Sequence, residues 1–400
     1  MNDLLKPANS QELQTILADC LGHKTSVQII AGGSKQAMGI PSSARVRLDL
    51  SNLSGLVDYA PEELLCTAQA ATPMKVINQT LTAAGQRLDF DPPDFAILFG
   101  HELDATLGGV ISVNHSGSRR LTAGAARDHL MALTMVSGRA EQLRAGAKVV
   151  KNVTGYDLCK LLAGSWGTLG CLHEVTVKTA PILEHERSLF IKAYDSRLAT
   201  RLMVQAMGLP FGVAAAAWLP QRLKIEPCGG VVLRFEGRIP SGVASRLDQT
   251  IEALRSDGSQ RVEVLEHAGS AAVWQAVRDV HPFAFARDQR DLWRISLPPS
   301  TGGNWLAGLA GVMDHEAYLD WGGGLVWLAT DCPAMKAADL LRKATGPHGH
   351  VMLVRASEQA RRTVSVFHPV DAITARLQHK IKAGFDPEGI LNPGQLLSFS

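Results

Sequence analysis

Residues 148–172 read K-V-V-K-N-V-T-G-Y-D-L-C-K-L-L-A-G-S-W-G-T-L-G-C-L and constrain the fold more than any other stretch. Glycines stand at 155, 164, 167 and 170, with hydroxylated residues at Thr154, Ser165 and Thr168. A short apolar helix over 156–162 is predicted between two glycine turns, with a strand over 173–178 after it. The spacing Gly164-x-x-Gly167-x-x-Gly170 permits positive φ and close backbone approach to a bulky group. It is neither G-x-G-x-x-G nor a Walker A loop, because no Gly-Lys-Ser/Thr occurs in it. Alone, such a cluster reads as a packing junction.

Two further glycine loops precede it, A-G-G-S-K-Q-A-M-G at 31–39 and A-T-L-G-G-V-I-S-V-N-H-S-G at 105–117. Successive backbone N–H groups in glycine turns form anion-binding concavities. Three such loops, each beside an apolar β-like run, suit a long ligand carrying phosphates. Ser34, Thr106, Ser112 and Asn114 are placed to add hydrogen bonds.

In this order the three loops resemble the FAD-binding domain of the vanillyl-alcohol-oxidase/PCMH flavoproteins. The motifs are G-G-S, then T-L-G-G-V-I-S-x-N-x-x-G, then K-N-x-x-G-Y-D-L-x-K-L-x-x-G-S-x-G-T-L-G. The tail F-D-P-E-G-I-L-N-P-G at 385–394 is similar to the same family's C-terminal flavin-contacting segment. Within that family the third motif is similar to the E-subunit family of bacterial glycolate oxidases. The likeness covers 1–180 and 370–400, and the middle only loosely.

The resemblance implies bound FAD, with Gly32, Gly33, Ser34 and Lys35 in a first pyrophosphate loop. Thr106, Gly108, Gly109, Ser112, Asn114 and Gly117 would form a second. Gly170 and Leu172 would reach the adenine and ribose side through main-chain atoms, and Asn392 would approach the isoalloxazine. For each serine or asparagine the alternative is a local turn hydrogen bond. Relatives that attach the flavin covalently use a histidine in the first loop. Here that loop has none, so non-covalent FAD is expected.

Four hundred residues exceed one hydrophobic core, so more than one domain is expected. The reading is an α+β chain: a PCMH-type FAD domain of two α/β subdomains at 1–180, an antiparallel α+β cap at 181–370, and a returning helix and tail at 371–400. The cap carries the pattern β-α-β-β-α-β twice, at 187–266 and 292–355, which is a split βαβ arrangement. Ser10 is the expected N-cap of a helix to Leu21, ended by Gly22. The loop at 89–94 is stiffened by two prolines, and its three aspartates read as solvated turn and cap residues rather than acid–base groups. Trp218, Trp321 and Trp327 read as core or as interface anchors.

A net charge of +2 with scattered basic residues gives no nucleic-acid footprint. The six cysteines form no C-x-x-C, which argues against zinc or iron–sulfur ligation and fits a reducing compartment. The N-terminus M-N-D-L-L-K-P has no secretion-signal pattern, and the apolar run at 213–219 is too short to span a bilayer. A cytoplasmic chain is expected, touching the inner face of the membrane only through partners.

Members that oxidise 2-hydroxy acids carry a histidine base, a cation for the carboxylate and often a metal held by H-x-G-D-G-N-x-H and E-H-G-x-G. This chain has only G-P-H-G-H at 346–350 and V-F-H-P at 366–369, so no metal is expected. His348 and His350, straddling a strand start, read as polar surface or a metal pair, and His368 as a base or surface. Arg294, on a cap strand, is a carboxylate-binding candidate. Its alternative is a surface ion pair with Asp279, Asp288 or Asp291. The resemblance therefore implies an FAD-binding subunit of a glycolate (2-hydroxy acid) oxidase complex, relaying electrons or completing the architecture. Its partners would be a sister FAD 2-hydroxy-acid dehydrogenase subunit and an iron–sulfur subunit. The alternatives are a self-sufficient FAD dehydrogenase using Arg294 with His350 or His368, and a scaffold without cofactor.

Overall fold

The computed structural model describes residues 4–147, 156–223, 225–254 and 261–396. The K-V-V-K-N-V-T-G run at 148–155, with Thr154 and Gly155, lies outside the described residues.

Leu13, Leu17 and Cys20 recur at helical spacing and are the buried stripe of the Ser10–Gly22 helix. Its N-cap is Asn9, not Ser10: the Asn9 side chain accepts from the Gln11 and Glu12 amides, while Ser10 is already helical. Gly22 does not end it with a left-handed turn; Lys24 takes that conformation, with φ 51°. The helix packs on a parallel sheet of β1 (Leu4–Leu5), β2 (Val27–Ile30) and β3 (Val46–Asp49), in the order β1-β3-β2.

A second, antiparallel sheet follows. Its strands are β4 (Leu56–Ala60), β5 (Leu65–Gln69), then, beyond the short β6 (Gln86–Arg87), β7 (Leu130–Ser137), β8 (Gln142–Gly146) and β9 (Gly170–Lys178). The order is β4-β5-β9-β7-β8, and β10 (Ala180–Pro181) pairs with β6. The β9 strand starts at Gly170, three residues before the apolar run, because Gly170 still pairs with Ser137.

The two β-α-β-β-α-β units merge into one eight-stranded antiparallel sheet. They are β11 (His185–Lys192), β12 (Ala215–Leu219), β13 (Gly230–Gly237) and β14 (Val262–Leu265), then β15 (Asp291–Ser296), β16 (Glu316–Asp320), β17 (Leu325–Thr330) and β18 (His350–Arg355). The order β14-β11-β13-β12-β16-β17-β15-β18 has one seam, where Trp218 lies opposite Leu319. The helices Ser196–Gly208, Pro240–Leu254, Gly302–Gly308 and Ala334–Thr345 contribute to the apolar core on one face. The other face packs Phe190, Tyr318 and Trp327 against the His267–Arg278 helix and against Phe95 and Leu98 of the N-terminal half. Trp218, Trp321 and Trp327 are buried, so they are core residues here.

The 89–94 loop differs from its expected solvated turn. Asp91 is half-buried and faces Arg278 at 3.0 Å and Arg119 and Arg234 at 3.7 Å each. Glu236 of β13 meets Arg87 at 2.7 Å, Arg234 at 2.8 Å and Arg119 at 3.0 Å. These carboxylates fasten the N-terminal half to the eight-stranded sheet. Only Asp94 serves as a local cap, accepting from the Ala96 amide.

The Ala372–Phe385 helix brings the tail back to β2, where the Asn392 amide donates to the Val27 carbonyl at 2.9 Å. All six cysteines are free thiols. Among the described residues no helix is long and apolar enough to cross a membrane.

Candidate functional site

The three glycine loops and the tail converge on one cleft. Gly32, Gly33, Ser34 and Lys35 enter it from the end of β2, and Thr106, Gly108, Gly109 and Ser112 from the Leu107–Val113 helix and its cap. Gly170 and Leu172 line it from β9, and Asn392 from the tail. Residues from opposite ends of the chain thus share one wall. Gln28, Gln36, Trp166, Gly167 and Gln395, which no sequence signal assigns to a cofactor loop except the glycine spacing at 167, line it too.

The backbones meet closely here. A Cβ on Gly32 would sit 1.9 Å from the Asp104 carbonyl oxygen. Gly167 has φ +69°, and a Cβ there would lie 2.7 Å from Asn392 Nδ2. Gly109 differs: a Cβ would meet Thr106 Oγ1 at 3.0 Å and otherwise only Lys35 Nζ at 3.9 Å. Its added side chain would enter the cleft.

Two predicted residues are placed elsewhere. Asn114 caps the Leu107–Val113 helix in a left-handed conformation, and its side-chain oxygen accepts from the Arg127 amide. Gly117 lines a neighbouring small pocket, and its carbonyl accepts from Trp321 Nε1. The Asn392 side chain is engaged by protein, accepting from the Ile29 amide and donating to the Trp166 carbonyl. Thr106 Oγ1 accepts from the Gly109 amide, the local bond that was the alternative for such residues.

Lys35 dominates the electrostatics of the cleft. Lys35 is half-buried where it lines the cleft. Burial pushes its pKa down to about 8, and the charge of Asp94 works against this. Among the described residues its hydrogen bond is to Ser34 Oγ at 3.4 Å, and no carboxylate pairs with it. The Ser34 carbonyl in turn bonds His101 Nε2 at 3.1 Å. A desolvated cation without a counter-ion, beside glycine amides, fits the pyrophosphate of a dinucleotide cofactor.

Residues 3–146 match the family model described as an FAD binding domain. Over 393 residues the chain is 31% identical to glycolate oxidase subunit GlcE of Escherichia coli (strain K12), covering 97% of each. The chain belongs to the PCMH-type FAD-linked oxidoreductases. FAD is the cofactor of this flavoprotein family. Over 187 residues, 46% of this flavoprotein and 38% of the relative, it is 30% identical to glycolate oxidase subunit GlcD of Bacillus subtilis (strain 168). In structure it is similar to 4-ethylphenol oxidase from Gulosibacter chungangensis, with TM-score 0.69 at 13% identity, covering 98% of this chain and 88% of that one. An alkyldihydroxyacetonephosphate synthase gives TM-score 0.67 at 14% identity, covering 98% and 75%. These two likenesses show the fold.

The catalytic candidates of this flavoprotein separate. Arg294 makes no ion pair with Asp279, Asp288 or Asp291: Asp279 is held by Arg278 and Asp288 by Arg290. Instead its guanidinium lies 4.9 Å from the Trp321 ring centroid and lines the small pocket with Gly117. His348 sits in a turn before β18, exposed, rather than on the strand with His350. His350 is exposed and stands edge-on to His368, with ring centroids 5.7 Å apart. Neither histidine lines the cleft or the small pocket. Among the described residues no three His, Cys, Asp or Glu side chains are grouped to hold a metal ion.

Proposed function

We propose that this flavoprotein is the FAD-bearing subunit of an assembly that oxidises a short 2-hydroxy acid such as glycolate to the 2-oxo acid. The convergence of three glycine loops and the tail around Lys35, which no carboxylate pairs among the described residues, carries the FAD part of this reading. Full-length similarity to a glycolate oxidase subunit supports the substrate class, and the subunit names of the relatives support an assembly. When bound, FAD supplies hydride acceptance; the chain binds, orients and excludes water.

In this reading 1–180 and 371–400 hold the cofactor, and 181–370 covers it. Gly32, Gly33, Ser34 and Lys35 with Thr106, Gly108, Gly109 and Ser112 hold the pyrophosphate. Gly170 and Leu172 lie toward the adenine side. FAD is non-covalent, because the 31–39 loop has no histidine. A sister FAD subunit and an iron–sulfur subunit complete the assembly and carry electrons onward. The chain's own flavin then relays electrons or completes the architecture.

One observation favours a second reading, turnover by this chain itself: Arg294 lines an enclosed pocket without an ion-pair partner among the described residues. The visible spectrum of the purified chain under anaerobic conditions, before and after glycolate, tests both. A yellow protein left unchanged supports the relay or architectural role. Bleaching supports its own turnover. A chain that stays colourless after added FAD contradicts both.

A further inference from the structure

The Ala372–Phe385 helix is seated on the protein by one end of its length. Lys382 is its one buried residue, and Ile381 and Phe385 pack partly against the core of the second sheet. The preceding turns keep an apolar stripe in solvent. Ile373 and Leu377, one turn apart, are 66% and 55% exposed, and Val370, just ahead of the helix, is exposed as well. Arg376 and Lys380 share that face at helical spacing, are exposed, and make no ion pair among the described residues. The acid beside them, Asp371, is engaged as the N-cap by the Ile373 and Thr374 amides and the Thr374 hydroxyl. An exposed apolar stripe set among unpaired cations is the composition of a contact surface for an acidic partner.

The segment that leads into this helix begins at the cofactor cleft. Trp166, which lines the cleft, stands edge-on to Phe367, with ring centroids 5.2 Å apart. Arg361 Nη1 donates to the Gly39 carbonyl at 3.1 Å, so the same stretch also holds the end of the first glycine loop. Arg342 adds a further cation there, its Nη2 donating to the Ser365 and Phe367 carbonyls. Residues 361–377 thus run from the cleft wall to an exposed surface that is apolar and basic.

We propose that the exposed face of 370–380, with Arg342 toward its cleft end, docks an electron-carrying partner protein whose own surface is apolar at the centre and acidic around it. The assignment rests on the FAD-subunit reading above and names the face through which electrons pass. FADH2 gives one electron to each of two one-electron carriers, releases two protons to solvent and returns to FAD. Fixed positive charge steers an acidic carrier to this face and disfavours a basic one, while Ile373 and Leu377 supply a centre that desolvates on contact. The Trp166–Phe367 contact brings the cleft wall to the start of the same face.

The probes are two proteins too large to enter the cleft: the soluble domain of ferricytochrome b5, which is acidic, and ferricytochrome c, which is basic. Binding to the FAD-loaded full chain is read by surface plasmon resonance. Electron transfer is read by anaerobic stopped-flow absorbance after photoreduction of the flavin. Arg376→Glu/Lys380→Glu should weaken cytochrome b5 binding and slow its reduction by roughly tenfold, and should speed reduction of cytochrome c. Arg197→Glu/Arg201→Glu, the same charge change on the Ser196–Gly208 helix, should alter each by less than roughly twofold. Wild-type reduction of cytochrome b5 should slow as salt is added. Equal responses of the two charge-reversed variants overturn the proposal. So does a wild-type dimer, by light scattering, that Ile373→Ser/Leu377→Ser makes monomeric, because a second copy then covers the face. Wild type that sediments with phosphatidylglycerol vesicles, when Ile373→Ser/Leu377→Ser does not, gives the face to a membrane and overturns it too. Each of these leaves the FAD reading standing, whereas wild type that takes up no FAD overturns both.

Discussion

The side-chain amide of Asn392 donates to the Trp166 carbonyl at 2.8 Å, across 226 residues of sequence. The same side chain accepts from the Ile29 amide at 2.7 Å. One residue of the tail thereby locks the third glycine loop to the strand feeding the first, and does so with φ 42°. This clamp gives the asparagine a structural role at the edge of the cleft.

Asn392→Ala should leave the Ile29 N–H and the Trp166 carbonyl short of partners. A loss of about 1–3 kcal/mol in urea unfolding is expected, with faster FAD release. Unchanged stability would show that the clamp is dispensable.

Lys35→Met should weaken FAD binding by roughly 10- to 100-fold, the loss of a charge-assisted bond to phosphate. The pH dependence has a definite sign. In the free site Lys35 titrates at about 8, and a bound phosphate raises that value. FAD affinity should therefore be flat below pH 8 and fall as pH rises above it. Lys35→Met should remove that fall, as fluorescence titration would show.

Lys382 and Asp386 form a buried ion pair at the start of the tail. Lys382 Nζ also donates to the Thr168 and Leu391 carbonyls, at 2.6 and 3.1 Å, while Asp386 accepts from the Ile390 and Leu391 amides. Lys382→Met strands a buried carboxylate, so about 3–5 kcal/mol of stability should go, read by denaturant unfolding.

The carboxylates between the N-terminal half and the eight-stranded sheet set the acid limb. Burial alone would raise Asp91, but Arg119, Arg278 and Arg234 overcome it and hold the carboxyl well below the usual range. Glu236 is likewise lowered: burial is outweighed by Arg234, Arg119 and Arg87. A depressed folded pKa contributes stability that is present above the unfolded value and lost as pH falls through the folded one. Thermal stability should thus decline progressively below about pH 4. Glu236→Gln should flatten part of that decline and lower stability at neutral pH.

Much of this was legible in the sequence because the signals were local. Glycine spacing located the loops, and alternating apolar runs located both β-α-β-β-α-β units. What escaped depended on distant partners. Asp91 reads as a solvated turn residue until Arg119, Arg234 and Arg278 arrive from other elements. Sequence leaves Arg294 between a carboxylate binder and a surface ion pair; only the fold shows Asp279 and Asp288 bound to other arginines. The edge strand β4 leaves Leu56 and Val57 exposed, so no burial alternation marks it. His115 lies inside the second glycine loop, but only packing against Phe95 gives it a setting.

The central claim is that the cleft of the three loops and tail holds FAD. Gly109→Leu tests it most directly, because the added side chain enters the cleft and no backbone is within 4 Å of its Cβ beyond the helix's own. Wild type and variant are each given excess FAD, desalted, and read by visible absorbance with circular dichroism beside it. The account predicts stoichiometric flavin on wild type and little on a folded variant. Equal flavin on both, or none on wild type, would contradict it.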